Sequence, residues 1–327
     1  MILNTVINKI VDYAGCFFDK RLENRGEEIV KKMIEKETAV LNQLSNNRAE
    51  LVGASRFFNN ISVTEEAIIE ESAKRCKNAV VGRHVLAIQD TSEINYESHR
   101  GKLSNHDPEL GAVGNDKDIG FFIHPVLVLE RESAGPKGIA DVHVWNRNFH
   151  RNTKKERKYQ SQPIEEKESY RWIKCSETSK KVLSESASVT IVADREGDIY
   201  EEFVRVPDEK TDLVIRSSYD RKLYDSDKKL FEHFEQRNSV GTYDLEIKKC
   251  QRKRTPLPAT MEVKYDKVKI VRPSNLNKTD YPDEYVELYA IEDRYHADTI
   301  PEFDSGVLWR YLTTHKINSR SEALEVV

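Results

Sequence analysis

Apolar residues recur at helical spacing where the chain begins. Leu3, Val6, Ile7, Ile10 and Ala14 share one face, with Asn4, Asn8, Lys9 and Asp12 between them. That period of about 3.6 marks an amphipathic helix. A second helix is predicted from about Glu27 to Leu44, with Ile29, Val30, Met33, Ile34 and Leu41 on one side. A third should start near Ser62, because Ser62 and Glu65 have the capping-box spacing, in which each side chain satisfies an orphan amide. From Val80 the period changes. His84 to Gln89 and Phe121 to Leu129 are short apolar runs, and Ile139 to Trp145 alternates. Such runs suit strands, the first two buried on both faces. Pro125 lacks a ladder donor and suits an edge or a bulge. A helix over Glu165 to Glu185, a strand over Val189 to Asp194, a helix over Ile199 to Val206 and a strand over Leu213 to Arg216 follow.

The resulting order, β-β-β-α-β-α-β, is that of a ribonuclease-H-like core, an α/β fold with a mixed sheet. From about residue 219 to 305 the chain turns β-prone and polar, with short strands at Tyr243 to Ile247, Met261 to Val271 and Tyr285 to Ile291. This stretch is expected to be an antiparallel, β-rich insertion. Val307 to Thr314 and a helix start at Ser319 to Val327 close the chain. The expected division is a helical domain over 1–75 and a core over 76–327.

Composition narrows the function classes. The 327 residues are one-third charged, with a net charge of −4, so affinity for nucleic acid has to come from local basic patches. Two exist: Lys154, Lys155, Arg157 and Lys158, and Lys248, Lys249, Arg252, Lys253 and Arg254. Each, taken alone, also reads as a solvated loop. Cys16, Cys76, Cys175 and Cys250 are scattered without a CxxC pair, which argues against zinc and for reduced thiols in a cytoplasm. Lys9 and Asp12 interrupt the first apolar stretch, so no signal peptide is read. No run approaches the roughly 20 apolar residues of a spanning helix, so no membrane partner is expected.

Two acidic motifs end apolar strands: Gln89-Asp90-Thr91-Ser92 and Ala193-Asp194-Arg195-Glu196-Gly197-Asp198. Aspartates at the ends of neighbouring strands can share divalent cations for in-line displacement at phosphorus. Mg²⁺ suits such a site, since it takes hard oxygen ligands and keeps several waters. The alternative for either aspartate is an Asx-turn or a helix cap. Asp198 reads as an N-terminal residue of the next helix, where its charge suits the helix dipole.

With these motifs in place, the sequence resembles the bacterial cut-and-paste DDE transposases of the IS-four group, the Tn-five relatives. Asp19-Lys20-Arg21-Leu22-Glu23-Asn24-Arg25 is similar to that family's early basic motif, and Ala54 to Asn60 to its A-Y-R-F-x-x-N stretch. Ile88 to Ser92 and Ala193 to Tyr200 are similar to the segments holding the first two catalytic aspartates. Gly120 to Leu129, with His124, is similar to the second strand. Trp309 to Thr314 and Ala323 to Val327 resemble the lead-in to the third motif, whose pattern Y-x-x-R-W-x-I-E-x-x-H-K would follow Val327. Glu322 and Glu325 therefore fall in surface or helix-start positions, and the last core helix and the dimerisation region are expected to be missing.

The resemblance implies Mg²⁺-dependent cleavage and strand transfer of double-stranded DNA, with Mn²⁺ able to substitute, by a homodimer acting at the bacterial nucleoid. Asp90 and Asp194 are implied metal ligands. Arg195 is a phosphate contact or a partner of Glu196 or Asp198. Arg216 and Arg221 are implied backbone contacts. Trp309 either stacks near an extruded base or belongs to the core, and Arg21, Arg25 and Arg56 would meet transposon-end DNA. The other readings are a non-catalytic DNA-binding remnant and another nuclease of the same core.

Overall fold

Asp19 decides where the first helix begins. In the computed structural model its side chain accepts the Arg21 amide, and α1 runs Lys20–Glu35. The structure describes residues 11–103, 107–149, 162–247, 257–296 and 307–327. The first predicted helix, residues 3–14, falls mostly outside these, as do both basic patches. The second helix was expected over Glu27 to Leu44. It starts earlier, at its Asp19 cap, and stops at Glu35, because Glu37 turns into the left-handed region. A short α2, Leu41–Leu44, and an unanticipated α3, Arg48–Phe58, follow. Asn47 caps α3 by accepting the Glu50 amide. The cap of α4, Glu65–Ala79, is Thr64 and not Ser62: the Thr64 hydroxyl accepts the Ala67 amide. Phe17, Ile29, Leu44, Ala54 and Phe57 give α1–α3 an apolar core of their own.

One large mixed sheet carries the rest. β1 (His84–Gln89) and β2 (Ser92–Asn95) are two pieces of one line, both antiparallel to the long β4 (Asp118–Glu130). They part at Asp90 and Thr91, level with His124 and Pro125 of β4, so the proline sits where the ladder is already broken. β3 (Gly111–Val113) and β5 (Pro136–Trp145) also pair with β4. Beyond β1 the order is β6 (Ser188–Ala193), β7 (Thr211–Arg216) and β11 (Leu308–Thr313), then β10 (Tyr285–Tyr295), β9 (Leu257–Val271) and β8 (Gly241–Ile247). β1, β6 and β7 are parallel; every other pairing is antiparallel. The segment read as an insertion thus extends the same sheet past β11. There Glu292 meets its cross-strand partners, Lys264 at 3.7 Å and Arg310 at 2.7 Å.

α5 (Tyr170–Val182) and α6 (Tyr200–Arg205) cover one face, with Trp172, Ile173, Cys175 and Phe203 in the main core beside Val85, Ala87 and Ile191. The helix expected over Glu165 to Glu185 is shorter because Glu168 is bound instead to Arg147 and Trp145. α7 (Leu230–Glu235) and α8 (Arg320–Val326) complete the elements. Among the described residues no helix is long and apolar enough to cross a membrane.

Glu202 of α6 is completely buried. Its Oε1 accepts from Ser176 at 3.0 Å and Gln89 at 3.3 Å, and its Oε2 finds no partner among the described residues. Burial pushes its pKa up to about 8 against those hydrogen bonds. The folded state therefore favours the protonated acid, and stability falls as pH rises from the ordinary carboxyl range towards 8. Each unit of that displacement is worth about 1.4 kcal/mol. Glu202→Gln, which cannot ionise, is expected to raise the unfolding midpoint at pH 8 by at least ~2 °C and to leave it nearly unchanged at pH 4.5. Thermal melts at the two pH values check this.

Candidate active site and nucleic-acid interface

The strands that lead to the two predicted aspartates lie side by side in register. β1 and β6 pair from His84 with Ser188 to Ile88 with Val192. The paired run ends there; continued by two residues, the same register would bring Asp90 level with Asp194. β7 pairs with β6 up to Ile215 opposite Ala193, which puts Arg216 next in line, and Tyr311 of β11 lies opposite Arg216. Strands lie about 4.8 Å apart, so the continued register would line up Asp90, Asp194, Arg216 and Tyr311 in a row across the sheet. Matched positions share a face. It is the face of Leu86, Ile88, Thr190, Val192 and Val214, which line an open cleft of about 420 Å³.

Both aspartates are exposed. Oδ1 of Asp90 accepts the Thr91 amide at 2.7 Å, and Oδ1 of Asp194 accepts the Glu196 amide at 2.8 Å. The capping role weighed as the alternative is thus present at Asp194, which caps Arg195–Gly197, but not at Asp90, whose bond is to the next amide in the chain. Each bond uses one carboxylate oxygen and leaves Oδ2 without a hydrogen bond among the described residues. Among those residues no three His, Cys, Asp or Glu side chains are grouped to hold a metal ion. Glu325 pairs with Arg131 at 2.6 Å, and Glu322 accepts the Asn318 amide at 2.6 Å.

A buried polar chain lies beneath the row, and its direction can be worked out. Arg171 only donates, so the Thr91 hydroxyl accepts its Nε at 3.0 Å. The Thr91 proton then goes to Nδ1 of His124 at 2.8 Å, and Nε2–H of His124 donates to Oε1 of Gln89 at 3.0 Å. The Gln89 amide donates on to Ser176 and Glu202. His124 fits this neutral role: burial, with Arg171 adding to it, pushes its pKa down to about 3. Reasoning from sequence missed Arg171, Gln89 and Glu202. The available signal was a glutamine and a glutamate inside otherwise apolar segments.

Other predicted residues separate. Asp198 does not open a helix. It is buried, its Oδ2 accepts the Ser218 and Tyr219 amides, and its Oδ1 holds Arg221 at 2.5 Å. Arg221 is therefore committed to Asp198. Arg195 is exposed and ion-pairs with neither proposed partner, since Glu196 binds Arg171 and Asp198 binds Arg221. Arg216 is half-buried, and its buried Nε finds no partner among the described residues. Trp309 is half-buried on β11, two residues from Tyr311 and so on the same face, one step beyond the row. In the helical segment Arg21 pairs with its cap Asp19 and Arg25 with Glu28, while Arg56 is exposed and without an ion pair among the described residues.

Residues 15–63, spanning α1–α3, match the family model described as transposase DNA-binding. Among solved structures the chain is similar to one chain of a piggyBac transposase synaptic complex with hairpin DNA, determined by cryo-electron microscopy. The TM-score is 0.38 and the identity 7%, over 91% of this chain and 53% of that one. The chain thus spans about half the length of that transposase, and its N-terminal helices carry the sequence pattern of a transposase DNA-binding segment.

Proposed function

We propose that this chain is the end-binding and catalytic portion of a DDE transposase of the bacterial cut-and-paste kind, acting on double-stranded DNA. The observation that carries the reading is the β1–β6 register, two parallel strands paired as far as Ile88 opposite Val192, each two residues short of its aspartate. The match of residues 15–63 favours transposition over a simple nuclease. A meander of β5, β4 and β1 followed by parallel β6 and β7 is also the strand arrangement of a ribonuclease-H-like core.

The residues fit a hard cation. Two exposed carboxylates, each with one oxygen uncommitted, suit Mg²⁺ or Mn²⁺ completed by waters and substrate phosphate. A cation there would supply an activated water or hydroxyl and offset charge on the leaving oxygen. The chain's own residues do the rest. Arg216 lies next to Asp194, where its guanidinium can grip a phosphate. Trp309 offers an indole face to an unstacked base. Arg195 and Arg56 are exposed for backbone contacts, and the pairs Arg21–Asp19 and Arg25–Glu28 can open to phosphate at small cost, because exposed ion pairs contribute little. A homodimer would bring two DNA ends together.

Two measurements test this. Isothermal titration with Mn²⁺ is expected to show binding that Asp90→Asn or Asp194→Asn each weakens at least ~10-fold; an affinity unchanged from that of the unsubstituted protein in both variants overturns the site. Gel shifts with duplex DNA are expected to weaken steeply as salt rises, because phosphate contacts release counterions. The Arg25→Ala, Arg56→Ala double variant should lower the salt slope by about 2. A slope that does not change assigns α1–α3 some other role.

A further inference from the structure

The two aspartates sit in separate segments, and among the described residues each carboxylate accepts from one backbone amide just after it. Nothing in either segment fixes the distance between them. One side chain reaches both. Arg171, on the first turn of α5, sends Nε to the Thr91 hydroxyl at 3.0 Å and Nη2 to the Glu196 carboxylate at 2.5 Å, while Nη1 donates to the Glu168 carbonyl at 3.0 Å. Thr91 follows Asp90, and Glu196 lies two residues after Asp194.

We propose that Arg171 is a positioning residue of the candidate metal site, a cross-brace that holds the Asp90 segment and the Asp194 segment at a fixed separation. The inference rests on the two-aspartate reading above. The guanidinium suits the task because its donors form a rigid planar fork that can serve several acceptors at once. It is itself held in place, only 9% exposed and lying 5.1 Å from the centre of the Trp145 ring and 5.5 Å from that of Trp172. The Thr91 end is fixed as well, since its hydroxyl proton is committed to His124. The Glu196 side chain is 64% exposed, and a pair with so open a partner adds little stability. Its effect is geometric. A lysine would keep the charge but not the fork.

Mn²⁺ titration of the full chain tests the brace. Changes in the shell behind a metal ligand typically cost 10–100-fold in affinity. Arg171→Gln and Arg171→Lys are both expected to weaken Mn²⁺ binding ~10-fold. Thr91→Val, which removes only a hydroxyl and no charge, should also weaken it, and Thr91→Ser should restore it to within ~2-fold. The Thr91 pair decides the matter if Arg171→Gln does not fold. Binding that Asp194→Asn abolishes but that Arg171→Lys and Thr91→Val leave unchanged overturns the brace alone. Absence of binding in the unsubstituted protein, or binding indifferent to Asp194→Asn, overturns the two-aspartate site and the brace with it.

Discussion

Backbone hydrogen bonds between β1 and β6 set the geometry on which everything else in this molecule depends. Side chains in a sheet alternate, so a slip of one residue would send Asp194 to the helix-covered face and bring Ala193 level with Asp90. The register is protected because both strands are apolar on both faces: Val85 and Ala87 face the core with Ile191, while Leu86, Ile88 and Val192 face the cleft. β7 is locked to β6 by the same means, and so Arg216 inherits its place beside Asp194. Chemistry at the strand ends is thereby specified by packing further down the strands.

The polar groups behind the row are satisfied in one direction, from Arg171 to Glu202, with His124 kept neutral in the middle. A chain of this kind leaves little room for alternatives, because reversing one hydroxyl or amide would set donor against donor along the whole path. The cost is concentrated at its end, where burial holds the Glu202 carboxyl in its protonated form at neutral pH.

Sequence made the central strands legible, for a physical reason. β1, β4, β6 and β7 are apolar on both faces, one packed in the core and the other largely half-buried, and read as apolar runs. The aspartates were legible because they interrupt such runs at their ends. What stayed hidden depends on contacts distant in sequence. Arg171 is 80 residues from Thr91, and its identity as an arginine after a serine and a tyrosine says nothing of which turns it will reach. Local errors arose where two caps competed: Ser62 had the better capping-box spacing, but Thr64 is the residue whose hydroxyl meets the Ala67 amide. α3 was missed although Asn47 caps it, because its short apolar face is broken by Gly53 and Ser55. Asp198 looked like a helix opener and instead anchors the Ser218–Arg221 loop.

The β1–β6 pairing also has a kinetic side. His84 and Ser188, which begin it, are 104 residues apart in the chain. β1 can meet β4 and β5 after closing much shorter loops, whereas joining β6 to β1 needs either a long closure or the prior docking of α5. Contacts of such separation are formed late, after local hairpins have been assembled. During synthesis the strand leading to Asp90 is therefore made, and can pair with β4, well before the strand leading to Asp194 exists.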